Sequence, residues 1–186
     1  MIRRTLALAL CLLALPATAA PEAWRLDADG SNVGFTYDFA LGDNRGTMPV
    51  SAADIRLDLR NLAASSVSVT LDARGARAGF FLATQAMQGP QVLDTATHPA
   101  ITFRSTAITG TTRAARIEGL LTARGVTRPV TLTAGLYRTP DTDPATLESL
   151  TVLLTGEIDR HAFGASGYPD LVGPTITLRI LARVKR

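Results

Sequence analysis

Apolar and polar residues exchange places with a period of two along almost the whole chain, and helical periodicity is nearly absent. Val33, Phe35, Tyr37 and Phe39 share one face. Ile55, Leu57 and Leu59 share the next, and Val67, Val69 and Leu71 follow with Ser68, Thr70 and Asp72 opposing them. Ile101 and Phe103, then Ile117, Gly119 and Leu121, then Val130, Leu132, Ala134 and Leu136 continue the pattern, with Thr131 and Thr133 on the far side of the last set. Leu150, Val152, Leu154 and Ile158 precede the clearest run, in which Ile176, Leu178, Ile180, Ala182 and Val184 alternate with more polar neighbours. The pattern predicts eight or nine strands. Asp29-Gly30, Gly42-Asp43-Asn44, Thr109-Gly110, Arg124-Gly125 and Pro140-Asp141 read as turns between them. No linker or internal repeat divides the chain, so the expectation is one all-β domain, a sandwich or a barrel. A closed antiparallel barrel is favoured, because short links need no crossover and closure removes exposed edges.

One interval departs from alternation. Residues 79–93, GFFLATQAMQGPQVL, place Phe80, Phe81, Leu82, Met87, Val92 and Leu93 without a period of two, and Ala83 to Gln88 are good helix formers stopped by Gly89-Pro90. A short helix or lid between strands is predicted. Two readings stay open: a cap that plugs one barrel end with its own side chains, or a mouth whose aromatic and Met side chains line a ligand site.

The first twenty residues are set apart from this pattern. Arg3 and Arg4, the apolar run Leu6 to Leu15, and the small residues Ala17-Thr18-Ala19-Ala20 form a secretory signal. The run is too short to span a membrane. The expected division is therefore a signal peptide over 1–20 and a barrel domain over 21–186, periplasmic or secreted after cleavage. The chain holds 19 Lys and Arg against 16 Asp and Glu. Residues 1–20 contain Arg3 and Arg4 and no acid, which leaves 17 basic residues and a net charge of +1. The whole-chain pI of 9.6 thus carries little information, and no clustered basic face of the kind that binds nucleic acid is visible. Cys11, the sole cysteine, lies inside the leader, so the mature chain has neither disulfide nor thiolate chemistry.

Candidate chemistry is sparse. His98 precedes Pro99, and His161 follows Asp159-Arg160; one carboxylate and one imidazole are too few for a closed zinc site. A phosphate loop, a Gly-x-Ser-x-Gly elbow and a His-Glu-x-x-His helix are all lacking. Gly156, in the apolar phase of its strand, reads as a bend or bulge. No catalytic residue, metal or cofactor is expected.

Four sequence pieces, in order, resemble the YceI-like family of secreted lipocalin-like proteins. They are Trp24-Arg25-Leu26-Asp27 with Ser31-Asn32-Val33-Gly34-Phe35; Leu93-Asp94 with His98-Pro99-Ala100-Ile101-Thr102-Phe103-Arg104-Ser105; Leu121 to Leu132, which contains Gly125-Val126-Thr127-Arg128-Pro129-Val130; and Ile158-Asp159-Arg160 with Phe163-Gly164. Gly30 and Arg124 stand where the family usually carries histidine. The resemblance implies an eight-stranded antiparallel barrel whose apolar cavity holds a polyisoprenoid tail of the quinone or polyprenyl phosphate type.

On these grounds the expected function is binding, carriage or sequestration of an apolar isoprenoid lipid, without catalysis. Transient membrane contact is part of that expectation, as is a monomeric or homodimeric state. The candidate lining is Phe35, Tyr37 and Phe39 from the first strand, Phe80, Phe81 and Met87 from the lid, and Phe103, Leu132, Val152, Leu154 and Phe163 from the remainder. Head-group candidates are Arg124, Arg128 and Arg160, with Lys185 a further cation near a turn. The rival is a plugged barrel that works as an interaction or structural module through an outer surface including Leu120, Leu153 and Leu181. An isomerase or cyclase on the same barrel is the third reading, for which the sequence offers few convergent acid and base groups.

Overall fold

The computed structural model describes residues 20–40, 42–138 and 148–186. The leader, apart from Ala20, and the Pro140-Asp141 turn therefore lie outside the described residues. The described residues form nine strands: β1 (Glu22–Phe39), β2 (Gly42–Met48), β3 (Val50–Leu57), β4 (Ser66–Asp72), β5 (Ala100–Thr111), β6 (Ala114–Ala123), β7 (Val126–Arg138), β8 (Ser149–Asp159) and β9 (Val172–Lys185). A single helix, α1 (Phe81–Gln88), lies between β4 and β5, and 3₁₀ turns occupy Leu62–Ala64, Ala73–Gly75 and Arg160–Phe163. Each strand from β3 to β9 pairs antiparallel with the next, and β1 pairs with both β3 and β9. The result is a closed eight-stranded antiparallel barrel with β2 as an extra strand. β2 and β3 are separated only by Pro49 and pair with different parts of β1, Val33–Phe39 and Glu22–Trp24. Pro49 cannot donate to a ladder, so the pairing breaks there.

Burial follows the alternation. Along β6, Ala115, Ile117, Gly119, Leu121 and Ala123 point inward while their neighbours, apart from a half-buried Thr122, are exposed. Two irregularities are repaired by serines. Between Asp27 and Asn32 the β1–β9 register slips, and Ser31 Oγ bridges the gap by donating to the Asp27 carbonyl (2.6 Å) and accepting from Arg183 N–H (2.9 Å). In β5, the slip after Ser105 frees its Oγ to accept from Val67 N–H at 2.9 Å. Asp29-Gly30 therefore sits in a bulge within β1 rather than in a turn. Gly42 to Asn44 and Thr109-Gly110 likewise lie inside strands, whereas Arg124-Gly125 is the β6–β7 turn.

Buried side chains gather in three clusters. Met48, Ala73, Ala76, Ile101, Leu121, Ala123 and Phe163 pack near α1. Leu62, Ile108, Ala115, Ile117, Leu132 and Ala134 lie lower, and Trp24, Ile55, Leu57, Leu150 and Val184 close the end opposite the helix. With eight residues, α1 is too short to persist on its own. Tertiary bonds hold it: Thr84 Oγ1 accepts from Ala78 N–H (3.0 Å), and Gln88 Nε2 donates to the carbonyls of Arg74 (2.9 Å) and Ala76 (3.2 Å).

Candidate functional site

All eight barrel strands and the helical segment contribute to one internal cavity of about 290 Å³. A space this large has room for several waters. Its wall offers them almost nothing: among the described residues the only polar ones on it are Ser31, Ser65, Arg124 and Arg160, and the rest are aliphatic, aromatic or Met. Dry apolar space of this kind favours an apolar guest over water. It also separates the molecule from the plugged alternative, which has no such void.

Seven of the expected lining residues lie on the cavity wall: Phe35, Met87, Phe103, Leu132, Val152, Leu154 and Phe163. Four do not. Tyr37 and Phe39 follow Phe35 in the same phase, but β1 runs on past the cavity, and Tyr37 instead donates its hydroxyl to the Ala78 carbonyl at 2.8 Å. Burial pushes the Tyr37 phenol above its ordinary value. Phe39 packs edge-on against Phe80, with ring centroids 5.6 Å apart, so both rings belong to the outer shell of the lid. Phe81 is 71% exposed and faces away from the cavity. The helix turns only Met87 onto the wall; none of its residues is fully buried.

What the expectation missed is mostly aliphatic. Val33, Ile101, Leu121, Leu178 and Ile180 are wall residues that lie in the inward phase of their strands. Two glycines were missed as well. A Cβ on Gly46 would fall within 2.1 Å of the Phe35 ring, and one on Gly119 within 2.5 Å of the Phe103 ring. Each ring tip thus occupies the place of a missing side chain and lies against the wall instead of across the axis. Gly156 has a similar reason: its Cβ would meet Leu132 Cδ2 at 2.6 Å, so close approach, not a bulge, explains it.

The three head-group candidates part company. Arg160, 5% exposed, lies on the wall and donates to four backbone carbonyls: Gly173 from Nε (2.9 Å), Val172 from Nη2 (2.7 Å), and Gly167 (2.8 Å) and Ala165 from Nη1. It pins the loop between the 160–163 turn and β9. Desolvation draws its guanidinium below the ordinary value, opposed by the charge of Asp159. Arg124 also lies on the wall, at the β6–β7 turn, with Nη1 donating to the Val92 carbonyl at 2.9 Å. Arg128 is exposed on the outside and donates to the Ala162 carbonyl at 3.2 Å. Lys185 is at the opposite end, paired with Asp27 at 2.7 Å. His98 lies beneath the β6–β7 turn, its ring 3.1 Å from where a Gly125 Cβ would stand, and His161 donates its backbone N–H to the capping Asp159 Oδ1 at 2.8 Å. Leu120 and Leu181 are 43% and 37% exposed, Leu181 also reaching the cavity, and Leu153 is half-buried.

A family model described as YceI-like domain matches residues 24–184. The fold is similar to BcnA of Burkholderia cenocepacia, with a TM-score of 0.75 at 19% identity over 86% of this chain and 99% of that one. It is similar to a polyisoprenoid binding domain from Saccharophagus degradans implicated in plant cell wall breakdown, with a TM-score of 0.63 at 12% identity over 88% and 98%. A YCEI protein of Campylobacter jejuni gives 0.62 at 16% identity over 100% and 99%. No curated protein matches the chain.

Proposed function

The chain belongs to the YceI-like domain family, and from that membership we propose that it binds and carries, or sequesters, an apolar isoprenoid lipid of the quinone or polyprenyl phosphate type. One observation carries the reading: a single void of about 290 Å³ whose wall is apolar but for four residues. The polyisoprenoid-binding description of the Saccharophagus degradans domain points the same way.

The energetics suit a long guest. Burying apolar groups contributes about 0.8 kcal/mol per CH₂, so a five-carbon unit is worth roughly 3 to 4 kcal/mol gross. Several units outweigh an immobilisation cost on the order of 4 to 15 kcal/mol. Affinity then grows with the hydrocarbon length that the cavity accepts.

The leader pattern of residues 1–20 supports a site of action in the periplasm or outside the cell. Loading from a bilayer is supported by the lid's outer face, where Phe81 and Leu82 are 71% and 68% exposed on a helix that carries no charged residue and also presents Met87 to the cavity. The test is mass spectrometry of lipid extracted from protein purified from its native host. A co-purifying isoprenoid is expected, and protein that is repeatedly empty overturns the reading.

A further inference from the structure

We propose that the cavity has a waist at mid-depth, where Gly119 and Gly46 seat the Phe103 and Phe35 rings, and that this waist sets the length of isoprenoid guest the barrel prefers. The proposal rests on the isoprenoid reading and adds a chain-length preference to it.

The cavity touches both the buried cluster near α1 and the one below it, and the seam between the two can be followed strand by strand. On β6, Leu121 belongs to the upper cluster and Ile117 to the lower, with Gly119 between them. On β8, Ile158 packs on the upper cluster and Leu154 on the lower, with Gly156 between them. Phe103 packs against both clusters, so its ring stands at the seam itself. A third glycine is in register with this level: Gly46 pairs with Phe35, Phe35 with Leu178, and Leu178 with Gly156.

Three inward positions thus carry no side chain, and none of them has a positive φ, so the backbone conformation does not demand glycine there. Space does. A Cβ on Gly119 would stand 2.5 Å from Cε2 and Cζ of Phe103, one on Gly46 would overlap the Phe35 ring, and one on Gly156 would meet Leu132 Cδ2 at 2.6 Å. A phenylalanine turned at χ1 into another staggered well leaves its notch and reaches into the void. With the rings seated, the void runs unbroken from the upper cluster to the lower. With a ring unseated, it is cut in two. The far end is closed by the Trp24 cluster, so a guest that enters past the lid must cross the seam to bury more than its first part. Hydrocarbon beyond the seam adds affinity only while the notches hold the rings aside.

The experiment titrates geraniol, with two isoprene units, and geranylgeraniol, with four, into the intact protein, into Phe103→Trp, whose ring is too large for the notch, and into Gly119→Ala, which fills it. The intact protein should bind geranylgeraniol at least about a hundredfold more tightly than geraniol, and each variant should lower that ratio at least about tenfold. The Arg104 carbonyl also crowds the Gly119 position. The double variant Gly119→Ala/Phe103→Leu therefore separates strain from blockage: the shorter side chain leaves the passage open, and the ratio should return toward the intact value. A ratio that stays unchanged in Phe103→Trp and Gly119→Ala, whatever happens to the separate affinities, overturns the proposal, as does a double variant that restores nothing. Equal binding of both alcohols by the intact protein overturns it too. An intact protein that binds neither alcohol overturns the isoprenoid reading itself.

Discussion

The two ends of the barrel are closed by different physics. At the end away from the helix, Trp24, Leu150 and Val184 are 3%, 5% and 1% exposed and pack with Ile55 and Leu57 into a plug. The outside of that plug is bound by the Lys185–Asp27 and Arg186–Glu22 ion pairs, with Arg186 stacked over the Trp24 ring. At the other end, α1 buries no residue completely and leaves Phe81 and Leu82 bare. Among the described residues, the four non-glycine residues with positive φ, Ala40, Asp94, Arg124 and Tyr168, sit in turns and loops at that same end. A plug of interlocked side chains is stable and shut. A lid held by a few side-chain bonds opens at low cost, and stability is lowest where apolar contacts are fewest. Under the proposed carrier function, the difference gives structure to one end and guest traffic to the other.

The comparison breaks first on truncation. Trp24→Ala should cost about 3 to 5 kcal/mol in chemical denaturation, whereas Phe81→Ala at the lid should stay within about 0.5 kcal/mol. Equal losses would mean that the ends are equally load-carrying in the fold.

A substitution between the ends sharpens the distinction between stability and binding. Gly119→Ala drives a Cβ against the Phe103 ring and the Arg104 carbonyl. It should cost about 1 to 3 kcal/mol of stability as overpacking and turn the ring toward the axis. Geranylgeraniol affinity, measured by titration calorimetry, should then fall about tenfold. Unchanged affinity would show that the ring does not guard the cavity.

The smallest effect is electrostatic and should not distinguish the ends. The hydrogen bond from Lys185 holds Asp27 below the usual carboxylate value, with burial opposing, and Arg74 does the same for Asp72 near the lid. A carboxyl depressed in the folded state stabilises above its unfolded pKa of about 4, and the contribution disappears as pH falls through the folded value. Asp27→Asn and Asp72→Asn should each slightly lower the melting temperature at neutral pH and converge on the intact protein as pH falls below about 4, so that the decline in acid is slightly flatter.

Much of the wall was legible because inward and outward residues of a strand differ in hydropathy at every step. β6 and β9 could be assigned residue by residue. Turns were less legible: Asp29-Gly30 is a bulge and Thr109-Gly110 is inside β5, since glycine beside a small polar residue serves a bulge as readily as a turn. The extent of the cavity along each strand was less legible still. Phe35 and Tyr37 are two residues apart in one phase of one strand, yet only Phe35 reaches the cavity, because the phase of a strand does not tell how far along it the cavity extends. Arg124 and Arg128 show the same limit. Four residues apart on one hairpin, they end up inside and outside the rim.

By itself the sequence determined an all-β chain, the inward face of most strands and a non-strand interruption near residue 80, because these follow from local alternation and from glycine and proline chemistry. Only the tertiary structure decided that the barrel closes around empty space, that Gly46 and Gly119 receive the Phe35 and Phe103 rings, and that Arg160 is consumed by its own loop while Arg124 reaches across to the Val92 carbonyl. Those outcomes depend on which side chains meet across strands distant in the chain, and periodicity along one strand carries no information about its distance from another.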